Sequence, residues 1–309
     1  MLRASLFRER LLRWYRRHGR KLPWRHTRDP YRIWVSEIML QQTRVAAVIP
    51  YFERFVERFP DVESLASAPE QDLLASWSGL GYYSRARNMH AAAKLIAACG
   101  SLPRDCDSLR RLPGVGKYTA AAVASIAFNL PHAVLDGNVR RVLSRFTCCN
   151  EGLEELAEAL LDRGYPGEYN QALMELGATV CLPGEARCDV CPVARQCAAK
   201  AQARQLEFPA RKKRPEPIRV ARRLLRVERK GKLLLYQNKG FWELPEPKQI
   251  PGAVHGEHLS QFRHSITNHL YCFDVFTAKV RRAPPGFQWV PATELGRMPL
   301  STIARKALR

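Results

Sequence analysis

Four of the nine cysteines fall between Cys181 and Cys197, in the stretch CLPGEARCDVCPVARQC, with gaps of six, two and five residues. A polypeptide that brings four thiols so close must fold around something that tolerates them. The odd cysteine count and the absence of a secretory leader point to a reducing compartment, where clustered thiols bind metal rather than pair as disulfides. The expected location is therefore the cytoplasm. Spacing alone leaves two centres open: zinc, the default for four thiolates, and a four-iron four-sulfur cluster. In either case protein fills every ligand position, so the centre is structural and the chemistry must lie elsewhere.

A chain of 309 residues can bury a real core and divides naturally into two or three domains. Its 50 Lys and Arg against 29 Asp and Glu leave a net charge of +21, far beyond what solubility requires. A polyanion is the expected partner, with nucleic acid ahead of an anionic membrane surface. No apolar run reaches the eighteen residues of a membrane span, so no membrane partner is expected. The Arg-rich start, MLRASLFRERLLRWYRRHGRKLPW, contains Glu9, lacks serine enrichment and reads as a basic surface helix rather than a transit peptide.

Residues 1 to about 200 read as helix after helix. Periodic apolar segments cover Tyr31–Gln42, Val45–Phe59, Gln71–Trp77, Ala86–Ala98 and Thr119–Phe128, separated by Gly and Pro. Around residue 200 the character changes: ARQLEFPARKKRPEPIRVARR carries three prolines and a charge run, and reads as a linker. Beyond it LLLYQN, HLYCFDVFTAKV and GFQWV are short β-branched or aromatic runs between turns, predicting a small β-containing domain of about ninety residues.

Several stretches can carry chemistry. In LRRLPGVGKYTAAAVASIAF, Pro113, Gly114, Val115 and Gly116 make a tight turn, and the helix after it offers free N–H groups beside Lys117. That suits a DNA phosphate gripped without regard to sequence, although an ordinary helix connection has the same pattern. In YRIWVSEIMLQQT, Glu37 shares a helix face with Ile33, Trp34, Leu40 and Gln41. Desolvation on that stripe would raise its pKa and suit a general acid, whereas a head reaching solvent would not. Asp136, before AVLDGNVRRVLSRF turns helical, reads either as an N-cap or as a carboxylate facing developing positive charge. Tyr82 and Tyr83 precede Arg85 and Arg87, the aromatic-with-cation mixture that stacks on bases and neutralises phosphates, or that simply packs a core.

Together LPWR, SEIMLQQTRV, IPYFERF, GLGYYSRARN, LPGVGKYTA, LDGNVRRVLSR, NQALMELGA and the four-cysteine loop, in that order, resemble the helix-hairpin-helix DNA glycosylase superfamily, and closely the MutY-type adenine DNA glycosylases. The resemblance runs from about residue 5 to 200. It implies a mainly α, two-lobed fold: a cluster lobe of residues 1–24 and 134–200, and a six-helix barrel module of residues 25–133 bearing the hairpin. A linker at 201–217 and a small Nudix-like α+β domain at 218–309 would follow. The resemblance assigns the cysteines Cys181, Cys188, Cys191 and Cys197 to one 4Fe-4S cluster.

The same resemblance makes Glu37 and Asp136 the catalytic carboxylates, with Tyr118 and Asn138 beside them. It places Trp24, Arg25 and Gln171 in an adenine pocket, and Gln41, Gln42, Thr43, Tyr82, Arg85, Arg87, Gly114, Val115, Gly116 and Lys117 against DNA. It implies hydrolysis of the N-glycosidic bond of adenine opposite 8-oxoguanine or guanine in double-stranded DNA, by a monomer at the bacterial nucleoid. The lyase branch of the superfamily carries an attacking lysine two residues after the second hairpin glycine. Here that position is Tyr118, and Lys117 points about 100° away on the helix, so a monofunctional enzyme is expected. A different lesion on the same fold, or an inert damage-binding protein, are the rival expectations. In the C-terminal domain Ser265, Ile266, Thr267 and Asn268 stand where the family reads 8-oxoguanine with a Phe-Ser-His-type loop. A hydroxyl at Thr267 and an amide at Asn268 keep hydrogen bonding possible.

Overall fold

The computed structural model describes residues 2–210 and 215–309, so residues 211–214 of the expected linker lie outside the described chain. Its contacts divide the protein into two units. The first holds the described residues up to Ala66 and from Ala91 to the linker; the second holds Ser67–His90 and everything after the linker.

The first unit is helical. It opens with α1 (Leu2–His18), α2 (Pro30–Leu40), α3 (Val45–Arg58) and α4 (Val62–Ser67). Asp29 starts α2 by accepting from Tyr31 N–H at 2.9 Å, and Pro30 at the first helical position has no N–H to leave unpaired. The basic helix α1 is anchored by fully buried Phe7 and Leu11, each worth about 1.5–3 kcal/mol of burial. α5 (Glu70–Trp77) and the beginning of α6 (Ser84–Cys99) belong to the second unit.

The hairpin follows. α7 (Cys106–Arg110) and α8 (Lys117–Phe128) flank a turn in which Gly114 holds φ +77°, open to glycine at little cost. α8 is buried from Thr119 to Ser125, and its alanines let neighbouring helices come close. Then come α9 (Gly137–Thr147), α10 (Leu153–Leu160), α11 (Pro166–Thr179) and the short α12 (Ala198–Ala201) after the cysteine loop. Val139, Val142 and Leu143 of α9 pack with Leu173 and Leu176 of α11 in the core that also takes up Phe7 and Leu11. Every helical segment expected from periodicity is present within two or three residues of its expected bounds.

The second unit is built on a sheet of β1 (Ile218–Arg229), β2 (Lys232–Asn238), β3 (Phe241–Glu243), β4 (Val254–Ile266), β5 (His269–Lys279) and β6 (Phe287–Pro291), with α13 (Thr302–Ala307) near its end. The strand order is β3-β2-β1-β5-β4, β6 pairs with β2, and β1 runs parallel to β5 while the other pairs are antiparallel. Leu224, Leu233, Phe273 and Val275 form one core, and Leu225, Val227, Leu234 and Ile250 another. Within this unit Tyr83 stacks on Phe241 with ring centroids 3.8 Å apart, and Ser78 Oγ donates to Leu300 O at 2.7 Å.

β1 begins at Ile218, where the expected linker of residues 201–217 ends. One expectation for this region is corrected. Ser265 and Ile266, expected in a loop, are paired strand residues opposite Leu270 and His269; only Thr267 and Asn268 turn, with Thr267 at φ +50°.

One glycine fixes how α11 meets the start of α9. A Cβ on Gly177 would stand 2.6 Å from Asn138 Cβ and 2.9 Å from its carbonyl oxygen, closer than carbon tolerates. We expect Gly177→Ala to cost about 1–3 kcal/mol in denaturant unfolding, and to weaken function further than that loss predicts, because the displaced segment is Asp136–Asn138.

Candidate active site

The first unit contains a pocket of about 480 Å³ lined by Trp24 and Arg25 from the turn before α2, Glu37, Gln41, Gln42 and Thr43 from α2 and its end, Tyr118 from α8, Asp136 and Asn138 from the start of α9, and Gln171 from α11. Ten of the residues singled out in the sequence thus meet at one place, although they come from separate parts of the chain.

Glu37 is 5% exposed, and its Oε2 accepts from Tyr118 Oη at 3.0 Å. Burial raises its pKa to about 7, partly offset by the Tyr118 hydrogen bond and reinforced by the negative charge of Asp136. The carboxyl therefore holds its proton near neutrality. Tyr118 Oη also lies 3.1 Å from Met174 Sδ, and burial holds the phenol far from ionisation.

Asp136 caps α9 and also lines the pocket. Its Oδ1 caps α9 by accepting from Val139 N–H at 2.7 Å, while Oδ2 accepts from Asn138 Nδ2 at 3.2 Å at the pocket wall. Burial raises its pKa, against the two N–H groups that favour the charged form. Behind it Arg141 donates to Asn138 Oδ1 at 2.8 Å, to Gly177 O at 2.8 Å and to Cys181 O at 2.7 Å. A single guanidinium thus ties the first residue of the four-cysteine loop to the side chain that braces Asp136.

Residues the sequence reading missed complete the wall. Glu175 is fully buried, yet it accepts from Arg20 at 2.7 and 2.8 Å and from Arg25 at 2.9 Å. Burial alone would raise its pKa, but the hydrogen bonds and charges of Arg20 and Arg25 win and hold it below the usual carboxylate range. The stripe argument that drew attention to Glu37 does not single out Glu175, whose neighbours at three- and four-residue spacing are Gln171, Ala172, Ala178 and Thr179.

The remaining expected residues lie outside the pocket. Gly114 and Gly116 are exposed in the hairpin turn, Val115 is buried with its N–H on Leu112 O, and exposed Lys117 pairs with Glu154. Tyr82 is 52% exposed. Arg85, expected against DNA, is instead buried between the rings of Trp77 and Tyr82, 5.4 Å from each, and donates to Gly81 O at 3.1 Å. Arg87 is likewise engaged inside the second unit, with Glu70 at 2.8 Å and with Lys239 O. A guanidinium beside two aromatic rings and a tight turn finds carbonyls to satisfy before it finds a phosphate.

The four cysteines line one small cavity together with Val142, Leu176, Val180, Val193 and Arg145. Burial and the neighbouring sulfurs push Cys191 up to about 12, and burial raises Cys197 as well, so neither thiol ionises readily without a positive centre to neutralise it. Arg145 donates to Cys181 Sγ at 3.4 Å and also holds Leu182 O and Phe208 O, and Gln205 Nε2 lies 3.7 Å from Cys188 Sγ. A shared cavity, four soft donors and N–H groups aimed at sulfur fit a thiolate-held cluster. Among the described residues no set of three or more His, Cys, Asp or Glu closes on a single metal position.

Residues 35–166 match the HhH-GPD superfamily of base excision DNA repair proteins. The adenine DNA glycosylase of Mus musculus is 34% identical over 99% of this chain and 78% of its own length. That of Buchnera aphidicola subsp. Baizongia pistaciae is 37% identical over 77% of this chain and 72% of its own. Among solved structures a thermostable thymine-DNA glycosylase superposes with a TM-score of 0.61 at 30% identity, covering 65% of this chain and 98% of that one. The chain accordingly belongs to the adenine DNA glycosylase family of helix-hairpin-helix base excision repair hydrolases.

Proposed function

We propose that this protein is a monofunctional glycosylase that hydrolyses the N-glycosidic bond of adenine mispaired with 8-oxoguanine, or with guanine, in double-stranded DNA. The observation that carries the reading is the buried carboxyl of Glu37, pKa about 7, facing the same pocket as Asp136.

The target base must leave the duplex stack to be reached, and a pocket of about 480 Å³ has room for a purine with its sugar at the mouth. Glu37 in its acid form donates a proton to the departing adenine at N7, which turns a poor leaving group into a neutral one. Departure leaves an oxocarbenium-like sugar. Asp136, aligned by Val139 N–H and Asn138, stabilises that cation or captures it transiently before water completes hydrolysis. Trp24, Arg25 and Gln171 hold the base. Lys117 cannot act as the attacking amine of a lyase from outside the pocket, where it pairs with Glu154.

The hairpin Gly114–Lys117 and exposed Tyr82 engage the DNA, with backbone N–H groups and Lys117 on phosphate and the Tyr82 ring against a base. Cys181, Cys188, Cys191 and Cys197 would hold one 4Fe-4S cluster, whose contribution is to cross-link the loop on which Arg141 and Arg145 are anchored. The turn at Thr267–Asn268 offers a hydroxyl and an amide to the base opposite adenine, in a C-terminal domain of Nudix-like type. A monomer at the nucleoid in the cytoplasm fits this work. The thymine-specific relative keeps a different mismatch on the same fold as the second reading.

Single-turnover excision from duplexes with adenine opposite 8-oxoguanine, guanine or thymine, read with and without hot alkali, tests the proposal. Strand breaks are expected only after alkali, and fastest opposite 8-oxoguanine; breaks without alkali, or excision of thymine in place of adenine, would overturn it.

The acid form of Glu37 predominates below pH 7 and is lost as pH rises through about 7, so the excision rate should fall along an alkaline limb centred there. Glu37→Gln should lower the single-turnover rate by about 10²–10⁴-fold while duplex affinity stays within about twofold. The raised pKa also disfavours the folded state once Glu37 ionises. Glu37→Gln should therefore melt higher than the parent at pH 8, and the gap should close between pH 7 and 4.5.

A further inference from the structure

Tyr118 Oη stands 3.0 Å from Glu37 Oε2 and 3.1 Å from Met174 Sδ. A phenol has one proton to donate. It cannot donate to both neighbours, and which one it serves is decided by Glu37. With Glu37 ionised, the hydroxyl donates to the carboxylate, the stronger acceptor by far. With Glu37 protonated on Oε2, that O–H points at the phenol oxygen, and the phenol proton must go elsewhere. Met174 Sδ is the acceptor in reach.

We propose that Met174 is a positioning residue: it receives the Tyr118 O–H while Glu37 is protonated and so holds Glu37 in its acid form, with Tyr118 as a two-position switch between them. This rests on the reading of Glu37 as the proton donor. Proton accounts balance without ionising Tyr118. The Glu37 O–H turns from the phenol oxygen to adenine N7 and its proton leaves with the base, while the phenol proton rotates about its own C–O bond from Met174 to the new carboxylate, never leaving its oxygen. The weak hydrogen bond to sulfur supports the resting acid, and the strong one to carboxylate supports the state after transfer.

The geometry is held from three sides. Glu37 sits on buried α2, Tyr118 in the first turn of α8, and Met174 on α11, whose neighbours Leu173 and Leu176 are buried in the core. The charged groups that face Glu37 from the elements around it are Asp136 at the start of α9, which raises its pKa, and Arg25 before α2, which lowers it. Arg20 and Glu175 line the same pocket but are tied to one another. The sulfur's hydrogen-bond contact is with Tyr118, so its removal acts on Glu37 through the phenol.

Met174→Leu keeps volume and apolarity but removes the acceptor. The alkaline limb of single-turnover excision should move down by about 0.5–1 pH unit, which lowers the rate at pH 8 about 3–10-fold and leaves it within about twofold below pH 6. The ¹³C-carboxyl NMR titration of Glu37 in the free enzyme should shift by the same amount. In a Tyr118→Phe background Met174→Leu should shift neither, because the switch is already gone. If Leu lowers the melting temperature enough to disturb the assay, Met174→Ile supplies the same test. An unmoved or upward-moving limb, an equal loss at every pH, or the same shift with Phe at 118 would overturn the proposal. The carboxyl titration is read without substrate, so a failure of the adenine reading would silence the excision assay and leave this test standing.

Discussion

The capping of α9 by Asp136 is the contact on which the rest of the site depends. A helix N-terminus offers unpaired N–H groups and a positive dipole end, so a carboxylate there is both structurally useful and stabilised in its charged form. Here the cap is also the pocket wall. The bond from Val139 N–H fixes one oxygen, Asn138 fixes the other, and Arg141 fixes Asn138 while gripping Gly177 O and Cys181 O. The cysteine loop, the crossing of α11 over α9 and the orientation of the Asp136 carboxylate are therefore one mechanical unit.

Three carboxylates share the pocket and are set apart by environment. Glu37 has apolar neighbours, one phenol and no cation within bonding reach, so burial keeps it protonated. Glu175 is just as buried but meets two guanidinium groups, so it is ionised at any physiological pH. Asp136 lies between, with burial opposed by backbone and amide donors. One pocket thus holds a carboxyl kept protonated, one kept ionised by two guanidinium groups and one between them. Their order along the chain does not matter; what matters is that the chain before α2 brings two cations onto Glu175 and none into bonding reach of Glu37.

Most of the helical unit was legible in the sequence, because each helix writes its buried stripe at three- and four-residue spacing and its ends in Gly, Pro or Asp. The four-cysteine loop and the hairpin were equally plain, being local. The site was legible in part: Glu37 and Asp136 stood out as carboxylates in unusual company, yet their convergence is a long-range fact that no local pattern states. Glu175 and Met174 were passed over because an ion triad and a thioether acceptor exist only after α11 is laid against α8 and the chain before α2. The sheet was least legible. β1 alternates arginine with apolar residues, and β4 is exposed along nearly its whole length, so neither displays the apolar runs by which β2 and β5 were found.

Arginine was also where composition misled. A net charge of +21 reads as a DNA-binding surface, and a count assigns every guanidinium to it. Arg141 and Arg145 are instead buried and satisfied by backbone carbonyls and a sulfur, and Arg85 by carbonyls and two rings. Carbonyls have no charge to cancel theirs, so all three remain in the long-range field that draws a polyanion in, but they cannot reach a phosphate and release a counterion. Attraction at a distance and grip at contact are thus carried by different arginines. The salt dependence of DNA affinity reports on the second set alone, and it must be shallower than a count of the sequence's cations implies.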